Sequence, residues 1–453
     1  AIERASRVYV AGGETGFFAL LAGREVRCFA PAFYTGWGLT GDDAALPSRP
    51  FRRSLDEIFA GACLLATRCL DPYRNKPASF EDILDVLSLW RGLEAANRGI
   101  AVCLGMSFWK RRHVADFLRS AAGAPRFRRS VKGALEAARR RPGGAVAVWA
   151  SRAPEGLAEA LRRHGIPLLR VEDGFVRSVG LGSDFMPAAS LVLDRRGMYF
   201  DPTQQSDLEV LLREIAFDGR LIERARHLIA LVVARGITKY NLPAGAVSLA
   251  APPGRRRLFV PGQVEDDLSV RLGGGEVRGN LDLLRRVRAA NPDAFVFYKP
   301  HPDVEAGHRK GAVPDALARQ FADVVIRGVS TASVLDGIDE VHTLTSLAGF
   351  EALLRRRKVV VYGRPFYAGW GLTVDCVMPA RGRPLSLEEL VAGVLILYPR
   401  YLDPATRLPC GPELVVERLA DPELWRGGAF VALRRLEGAL KRYWRARAST
   451  LPA

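Results

Sequence analysis

Residues 8 to 40, VYVAGGETGFFALLAGREVRCFAPAFYTGWGLT, align without gaps on residues 341 to 373, VHTLTSLAGFEALLRRRKVVVYGRPFYAGWGLT, with 15 of 33 positions identical. Unrelated segments of ordinary composition would share roughly two. The similarity continues past the shared GWGLT: SLDEIFAGACLLATRCLDP at 54 to 72 matches SLEELVAGVLILYPRYLDP at 386 to 404. A chain with this pattern must build the same local structure twice, about 332 residues apart, so a fold that suits one copy has to suit the other. Residue 1 then falls inside a module, near its C-terminal end, and an upstream part is expected. The first copy is broken and the second is whole.

Within the whole copy, AVAVW (145–149), PLLRV (167–171), RLFVPG (257–262), AFVFYKP (294–300), DVVI (323–326) and KVVVYG (358–363) are short continuous apolar runs. This is the pattern of parallel strands covered on both faces. Helix-length stretches such as APEGLAEALRRHG and NLDLLRRVRAANPD lie between them, the second opening at Asn280 as a candidate N-cap. Strands alternating with helices predict an α/β fold. The Pro/Gly/Arg-rich APPGRRR (251–257) splits the strands into two groups, so two Rossmann-like, doubly wound domains facing a cleft are expected, with added helical segments. The boundaries drawn from sequence are 1–50 for the remnant of an upstream module, 51–125 for a mainly helical connection, 126–250 and 251–375 for the two Rossmann-like domains, and 376–453 for C-terminal helices.

Composition narrows the partners. The formal charge is +17 with a pI near 10, which favours anionic partners, although a general bias toward Arg would read the same way. No apolar run approaches the ~18 residues a membrane-spanning helix needs, and the first residues do not have the layout of a signal peptide; a cytoplasmic location is expected. The six cysteines form no CxxC pair and have no His at zinc spacing, so reduced thiols and no metal centre are expected.

In open α/β sheets ligands bind beyond the carboxyl ends of the strands, and four polar motifs stand there. RVEDGFVRSVGLGSD places Glu172, Asp173, Arg177 and Ser178 directly after a strand; two carboxylates beside an Arg suit acid/base work on an anionic substrate. The alternative is a turn at Asp173–Gly174 with Arg177 paired to Glu172, and GLGS reads as a turn rather than a phosphate loop. VPGQVEDDLS carries Gln263, Glu265, Asp266 and Asp267. Enzymes that retain anomeric configuration use one carboxylate as nucleophile and another as acid/base, and one cluster from each domain could supply the pair; a solvated acidic loop is the alternative. YKPHPDV presents Lys299, His301 and Asp303 after a strand; Lys and His there suit an anionic leaving group, with Pro300 and Pro302 fixing the backbone, where a structural His is the bland reading. VHTLTSLAGFEALL sets Thr345 and Ser346 at a helix start and Glu351 one turn in, a phosphate site or simple capping. The broken copy has Gly12, Gly13 and Phe18 at those three positions, and its AGGETG lacks the Lys of a phosphate loop. One donor site is therefore expected, between the halves of residues 101–375, with Tyr367 and Trp370 of the GWGLT segment packing rather than reacting.

EDGFVRS followed by LVLDRRGMYFD, then PGQVEDD, YKPHPDV, DEVHTLTSLAGFEALL and PFYAGWGLT, in this order, closely resemble the KpsC-type capsule polysaccharide proteins, and they cover essentially the whole chain. That family consists of two-module retaining β-Kdo glycosyltransferases; this chain looks like the second module with the tail of the first. The resemblance implies a GT-B-like pair of Rossmann domains. It also implies transfer of the acidic sugar Kdo from CMP-Kdo to an oligo-Kdo linker on lyso-phosphatidylglycerol, by double displacement through an Asp–Kdo adduct. By motif position the nucleophile is Asp267, with Asp266 as rival, and the acid/base is Glu172, with Asp173 as rival. Lys299 and His301 would meet the CMP phosphate, and Gln263, Pro302, Thr345, Ser346 and Glu351 would complete the donor pocket. Arg177, with Asp173 and Ser178, is assigned to a substrate or acceptor carboxylate. No cofactor, metal or nucleic acid is implied. FVALRRLEGALKRYWRARA (430–448) has the layout of an amphipathic helix for an anionic membrane surface, or of a core helix with a basic outer face. A peripheral protein on the cytoplasmic side of the inner membrane follows. A non-catalytic oligo-Kdo-binding scaffold and a different nucleotide-sugar enzyme on the same architecture are the other two readings.

Overall fold

A computed structural model describes residues 2–43, 49–180, 186–239, 241, 249–377 and 381–425. The basic stretch 430–448 and most of the GLGS segment lie outside these. The chain divides into two compact units, residues 1–88 and 89–453.

In the first unit β1 (Arg7–Val10) and β2 (Glu25–Cys28) pair in parallel, α1 (Thr15–Leu21) connects them, and β3 (Gly41–Asp42) adds to β2. After α2 (Leu55–Phe59) come a π-helical turn and a small antiparallel pair, β4 (Cys69–Leu70) with β5 (Pro77–Ala78).

The second unit lays down β6 (Ile100–Leu104), β7 (Arg126–Arg128), β8 (Ala145–Trp149), β9 (Leu168–Asp173) and β10 (Ser190–Asp194). It then adds β11 (Arg257–Pro261), α3 (Leu268–Gly273), β12 (Phe295–Lys299), α4 (Pro302–Glu305), β13 (Val324–Val325), β14 (Glu340–Thr343), α5 (Leu347–Leu354), β15 (Lys358–Val361) and β16 (Val374–Asp375). Then come α6 (Leu387–Val391), β17 (Pro399–Leu402) and β18 (Pro409–Cys410), followed by a helix over Pro412–Leu419. One sheet has the order β18-β17-β10-β9-β8-β6-β7, the other β13-β12-β11-β14-β15-β16. All pairings in the second sheet are parallel, and its order is the Rossmann order with a switch point between β11 and β14. The apolar runs form its interior: Leu258, Phe259, Val260, Val296, Phe297 and Val341 are fully buried. The molecule is α/β with two Rossmann-like domains facing a cleft.

The first sheet departs from the boundaries drawn at 126 and 376. It begins at Ile100, because the apolar run IAVCL is β6 and sits inside the sheet between β7 and β8. Its far edge comes from β17 and β18, so the segment after 376 is not only helical and returns to the first domain. β17 joins antiparallel, and its mixed PRYL composition hides it from a search for apolar runs. Asn280 is also not the N-cap of its helix. Gly279 holds that place at φ +116°, and buried Asn280 accepts from Gln263 N–H at 2.8 Å while donating to the Gln263 and Gly311 carbonyls.

The repeat is kept atom by atom. Tyr34 Oη donates to Gly13 O at 2.6 Å, and Tyr367 Oη donates to Ser346 O at 2.6 Å. Trp37 and Trp370 donate from Nε1 to Phe33 O and Phe366 O. Asp42 and Asp375 each accept from a glycine N–H and a threonine hydroxyl. Ser54/Glu57 and Ser386/Glu389 form matching capping boxes. A Cβ on Gly16 or Gly349 would lie 2.3 Å from the tyrosine hydroxyl of its own copy, which explains glycine at both. Tyr367 and Trp370 are fully buried, so the GWGLT segment is scaffold. Beneath this identity one cross-strand ion pair is reversed: Arg7–Glu25 in the first copy, Glu340–Lys358 in the second.

Candidate functional site

Both sheets of the second unit point their strand ends at one cavity of about 660 Å³. From the first sheet, the turn after β6 brings Trp109 and Lys110, the end of β8 brings Trp149 and Ser151, and the end of β9 brings Glu172 and Asp173. From the second sheet, Gln263, Asp266 and Asp267 follow β11, Lys299, His301 and Pro302 follow β12, and Thr345, Ser346 and Glu351 follow β14. Strand-end placement gathers motifs that lie more than a hundred residues apart in sequence.

The adjacent carboxyls of β9 are driven apart. Burial, reinforced by the charge of Asp173, pushes Glu172 up to about 7, against the opposing pull of Lys110 and Lys239. Burial would raise Asp173 as well, but the Arg177 guanidinium and the Lys110 ammonium outweigh it and hold Asp173 well below the usual carboxylate range. Two carboxyls in opposite states mark Glu172 as the group able to exchange a proton near neutrality and Asp173 as a permanent anion. Arg177 is 1% exposed, and it donates to Asp173 Oδ2 at 2.8 Å, to Ser178 Oγ at 2.8 Å and to Met186 O at 3.0 Å. It pairs with Asp173 rather than Glu172, and these bonds hold the loop while Arg177 also lines the cavity. Ser178 is fully buried, donates to Gly180 O, and does not line the cavity.

Across the cavity, Asp267 and Asp266 separate clearly. Asp267 N-caps α3, its Oδ1 accepting from Ser269 N–H at 3.0 Å and Ser269 Oγ–H at 2.8 Å. Asp266 is 47% exposed and pairs with Arg309 at 3.2 Å. Asp267 is thus the more firmly oriented carboxylate of the two. Gln263 ties the switch point together: its Nε2 donates to Thr345 Oγ1 at 2.9 Å and its Oε1 accepts from Thr345 N–H at 3.0 Å. Ser346 caps α5 through Ala348 N–H. Glu351 is buried and raised by that burial, and accepts from the Lys239 N–H at 2.9 Å, so it joins the two domains as well as lining the cavity.

Lys299 is 4% exposed, and burial lowers its ammonium against the pull of Glu305 and Glu351. His301 N-caps α4 with Nδ1 accepting from Asp303 N–H at 3.1 Å. Burial, opposed by Asp303, draws the imidazole down to about 4, so at neutral pH it is uncharged with its proton on Nε2. It can then donate to an anion without carrying charge. Lys110, Lys239, Trp109 and Trp149 also line the cavity and escape a reading by motif. Lys110 follows the apolar run of β6, the one signal that could have drawn attention to it. Phe175, next to the acidic pair, packs its ring in tilted contact with Phe366 of the second FYAGWGLT segment and with Tyr199, centroids 4.7 Å apart in each case. The repeated scaffold thus supports the Glu172 loop directly. Among the described residues no helix is long and apolar enough to cross a membrane, and no cluster of His, Cys, Asp and Glu is arranged to hold a metal.

Residues 2–67, 144–242 and 221–401 match the family described as capsule polysaccharide biosynthesis protein. The capsule polysaccharide modification protein LipA of Neisseria meningitidis serogroup A is 38% identical over 426 residues, which are 92% of this chain and 60% of LipA. The chain thus spans less than two thirds of that relative. Two solved structures of KpsC from Thermosulfurimonas dismutans are also similar. The beta Kdo 2,7 transferase superposes with a TM-score of 0.58 at 32% identity, covering 72% of this chain and 99% of that one. The beta Kdo 2,4 transferase superposes with a TM-score of 0.60 at 30% identity, covering 71% and 98%. The chain belongs to the family of capsule polysaccharide biosynthesis proteins and is of the KpsC type.

Proposed function

We propose that this chain is a retaining β-Kdo transferase that moves Kdo from CMP-Kdo to a Kdo-terminated oligo-Kdo acceptor carried on lyso-phosphatidylglycerol. The observation that supports it most is the meeting of Glu172 and Asp267, from different sheets, in one cavity with Lys299 and His301. In the first displacement an Asp267 carboxylate oxygen bonds to the anomeric carbon of Kdo while the bond from that carbon to the CMP phosphate oxygen breaks. CMP leaves with the electron pair, its phosphate met by the Lys299 ammonium and the His301 Nε2–H. In the second, an acceptor hydroxyl bonds to the same carbon, Glu172 takes the hydroxyl proton, and Asp267 departs as a carboxylate. Two inversions retain the configuration.

The phosphate and carboxylate charges are met by side chains in this scheme, so no metal or cofactor takes part. The +17 charge suits a polyanionic acceptor at an acidic membrane surface on the cytoplasmic side. The test is incubation with CMP-Kdo and a short Kdo-terminated acceptor, with product configuration read by NMR and the adduct sought by mass spectrometry in Glu172→Gln. The expected result is a β-linked product and an adduct of Kdo mass on the peptide holding Asp267. A folded chain that yields neither, or an adduct on a different carboxylate, would overturn the scheme.

A further inference from the structure

Arg177 lines the cavity but directs its donors at Asp173, Ser178 and Met186, and Lys110 stands near it as a second cation able to meet a carboxylate. Asp173 is shared by two cations there. Its Oδ2 is held by Arg177 at 2.8 Å, and its Oδ1 lies 3.8 Å from the Lys110 Nζ. One carboxylate between two cations leaves a positive charge over. The neighbouring Glu172 does not offset it fully, since its burial favours the neutral form up to about pH 7. The other charged group acting on Lys110, Arg152, is a further cation, and it is exposed.

Lys110 is also held in place. Its Nζ lies 3.1 Å from the ring centroid of Trp149 and 5.2 Å from that of Trp109, and its side chain is 16% exposed. Burial lowers this ammonium, against the pull of Asp173 and Glu172, and over an indole face, mostly shielded from water, it has few water partners to lose. An anionic ligand reaching it is therefore bound more strongly than at a surface lysine.

We propose that Lys110, with Trp109 and Trp149, forms the acceptor-sugar subsite, binding the ring carboxylate of a terminal acidic sugar and so turning its hydroxyl toward Glu172. The proposal rests on the transferase reading for the identity of the ligand, and it extends that reading by naming what selects an acidic acceptor. The geometry places the subsite beside β6, β8 and β9, on the opposite side of the cavity from Lys299 and His301. A carboxylate on the donor sugar has the same chemistry, and the experiment must tell the two apart.

The experiment is titration calorimetry of the full chain with a short Kdo-terminated acceptor and with its methyl ester, in the presence of CMP, and separately with CMP-Kdo. Wild type, Lys110→Met and Lys110→Arg are compared. Wild type is expected to bind the acid at least about tenfold more tightly than the ester, about 1.4 kcal/mol. Lys110→Arg should keep that preference and Lys110→Met should bind both forms alike. An acid/ester preference undiminished in Lys110→Met overturns the proposal. So does a loss of CMP-Kdo affinity in place of acceptor affinity, which would assign the cation to the donor. A wild type that fails to prefer the acid overturns it without any variant. Binding is read without turnover, so a chain that prefers the acid yet releases no CMP from CMP-Kdo would contradict transfer and uphold the subsite.

Discussion

Replacing Glu172 with Gln should stabilise the fold while removing the chemistry. In the native cavity burial lifts this carboxyl from 4.5 to about 7. At about 1.4 kcal/mol per tenfold change in ionisation, that difference is worth about 3 kcal/mol, and about 2 kcal/mol after allowing for screening by water in the cavity. Because the folded value is the raised one, the unfolded chain gives up its proton first. The stabilisation is complete below about pH 4.5 and is lost as the pH rises to about 7. Gln has no proton to lose, and its Oε1 can still accept the Asp173 N–H that Glu172 accepts at 3.1 Å. The variant should therefore match wild type near pH 4.5 and exceed it by about 2 kcal/mol at about pH 8, read as slower hydrogen exchange in peptides spanning β8 and β9. Transfer should fall by about 10² to 10⁴, and the wild-type rate should drop below about pH 7 as the base becomes protonated. A variant less stable than wild type at high pH, or a stability difference that does not change with pH, would refute the claim that this carboxyl is desolvated.

Three further outcomes are expected. Asp267→Asn should lower transfer by at least about 10³ while CMP binding stays within about threefold, whereas Asp266→Asn, which removes only an exposed pair with Arg309, should retain most activity; the opposite order would exchange their roles. Gly349→Ala places a Cβ 2.3 Å from the Tyr367 hydroxyl and should destabilise by roughly 1–3 kcal/mol. Adding Tyr367→Phe should recover part of that loss, although it gives up the bond to Ser346 O, and a strictly additive double mutant would contradict the clash. Transfer rates with and without EDTA should agree, and a loss restored by a divalent cation would show that side chains alone do not meet the phosphate charge.

Much of the architecture was legible because parallel strands buried on both faces are continuous apolar runs, and because each polar motif follows such a run directly. Thus β8, β9, β11, β12 and β15, and the candidates Glu172, Asp267, Lys299 and His301 at or beyond strand ends, could be named in advance. The strand β17 and the edge strand β18 could not, since β17 mixes polar with apolar residues, β18 is only two residues long, and the β10 that β17 pairs with lies about two hundred residues earlier. Side-chain commitments were equally hidden. Whether Arg177 faces a ligand or Asp173, and whether Asn280 caps a helix or locks the Gln263 segment, depends on atoms brought in from elsewhere in the chain.

The two GWGLT segments show the division most clearly. Sequence alone determined that they share one scaffold, and that only the second is joined to Thr345, Ser346 and Glu351, since identity and spacing are local properties. Tertiary structure decided what the second one supports. Phe366 is 7% exposed and packs against Phe175 beside the acidic pair, while its counterpart Phe33 is 45% exposed. It also decided that Lys110, more than sixty residues before Asp173, shares its charge. Electrostatic work depends on distance through space, and only the closed fold sets that distance.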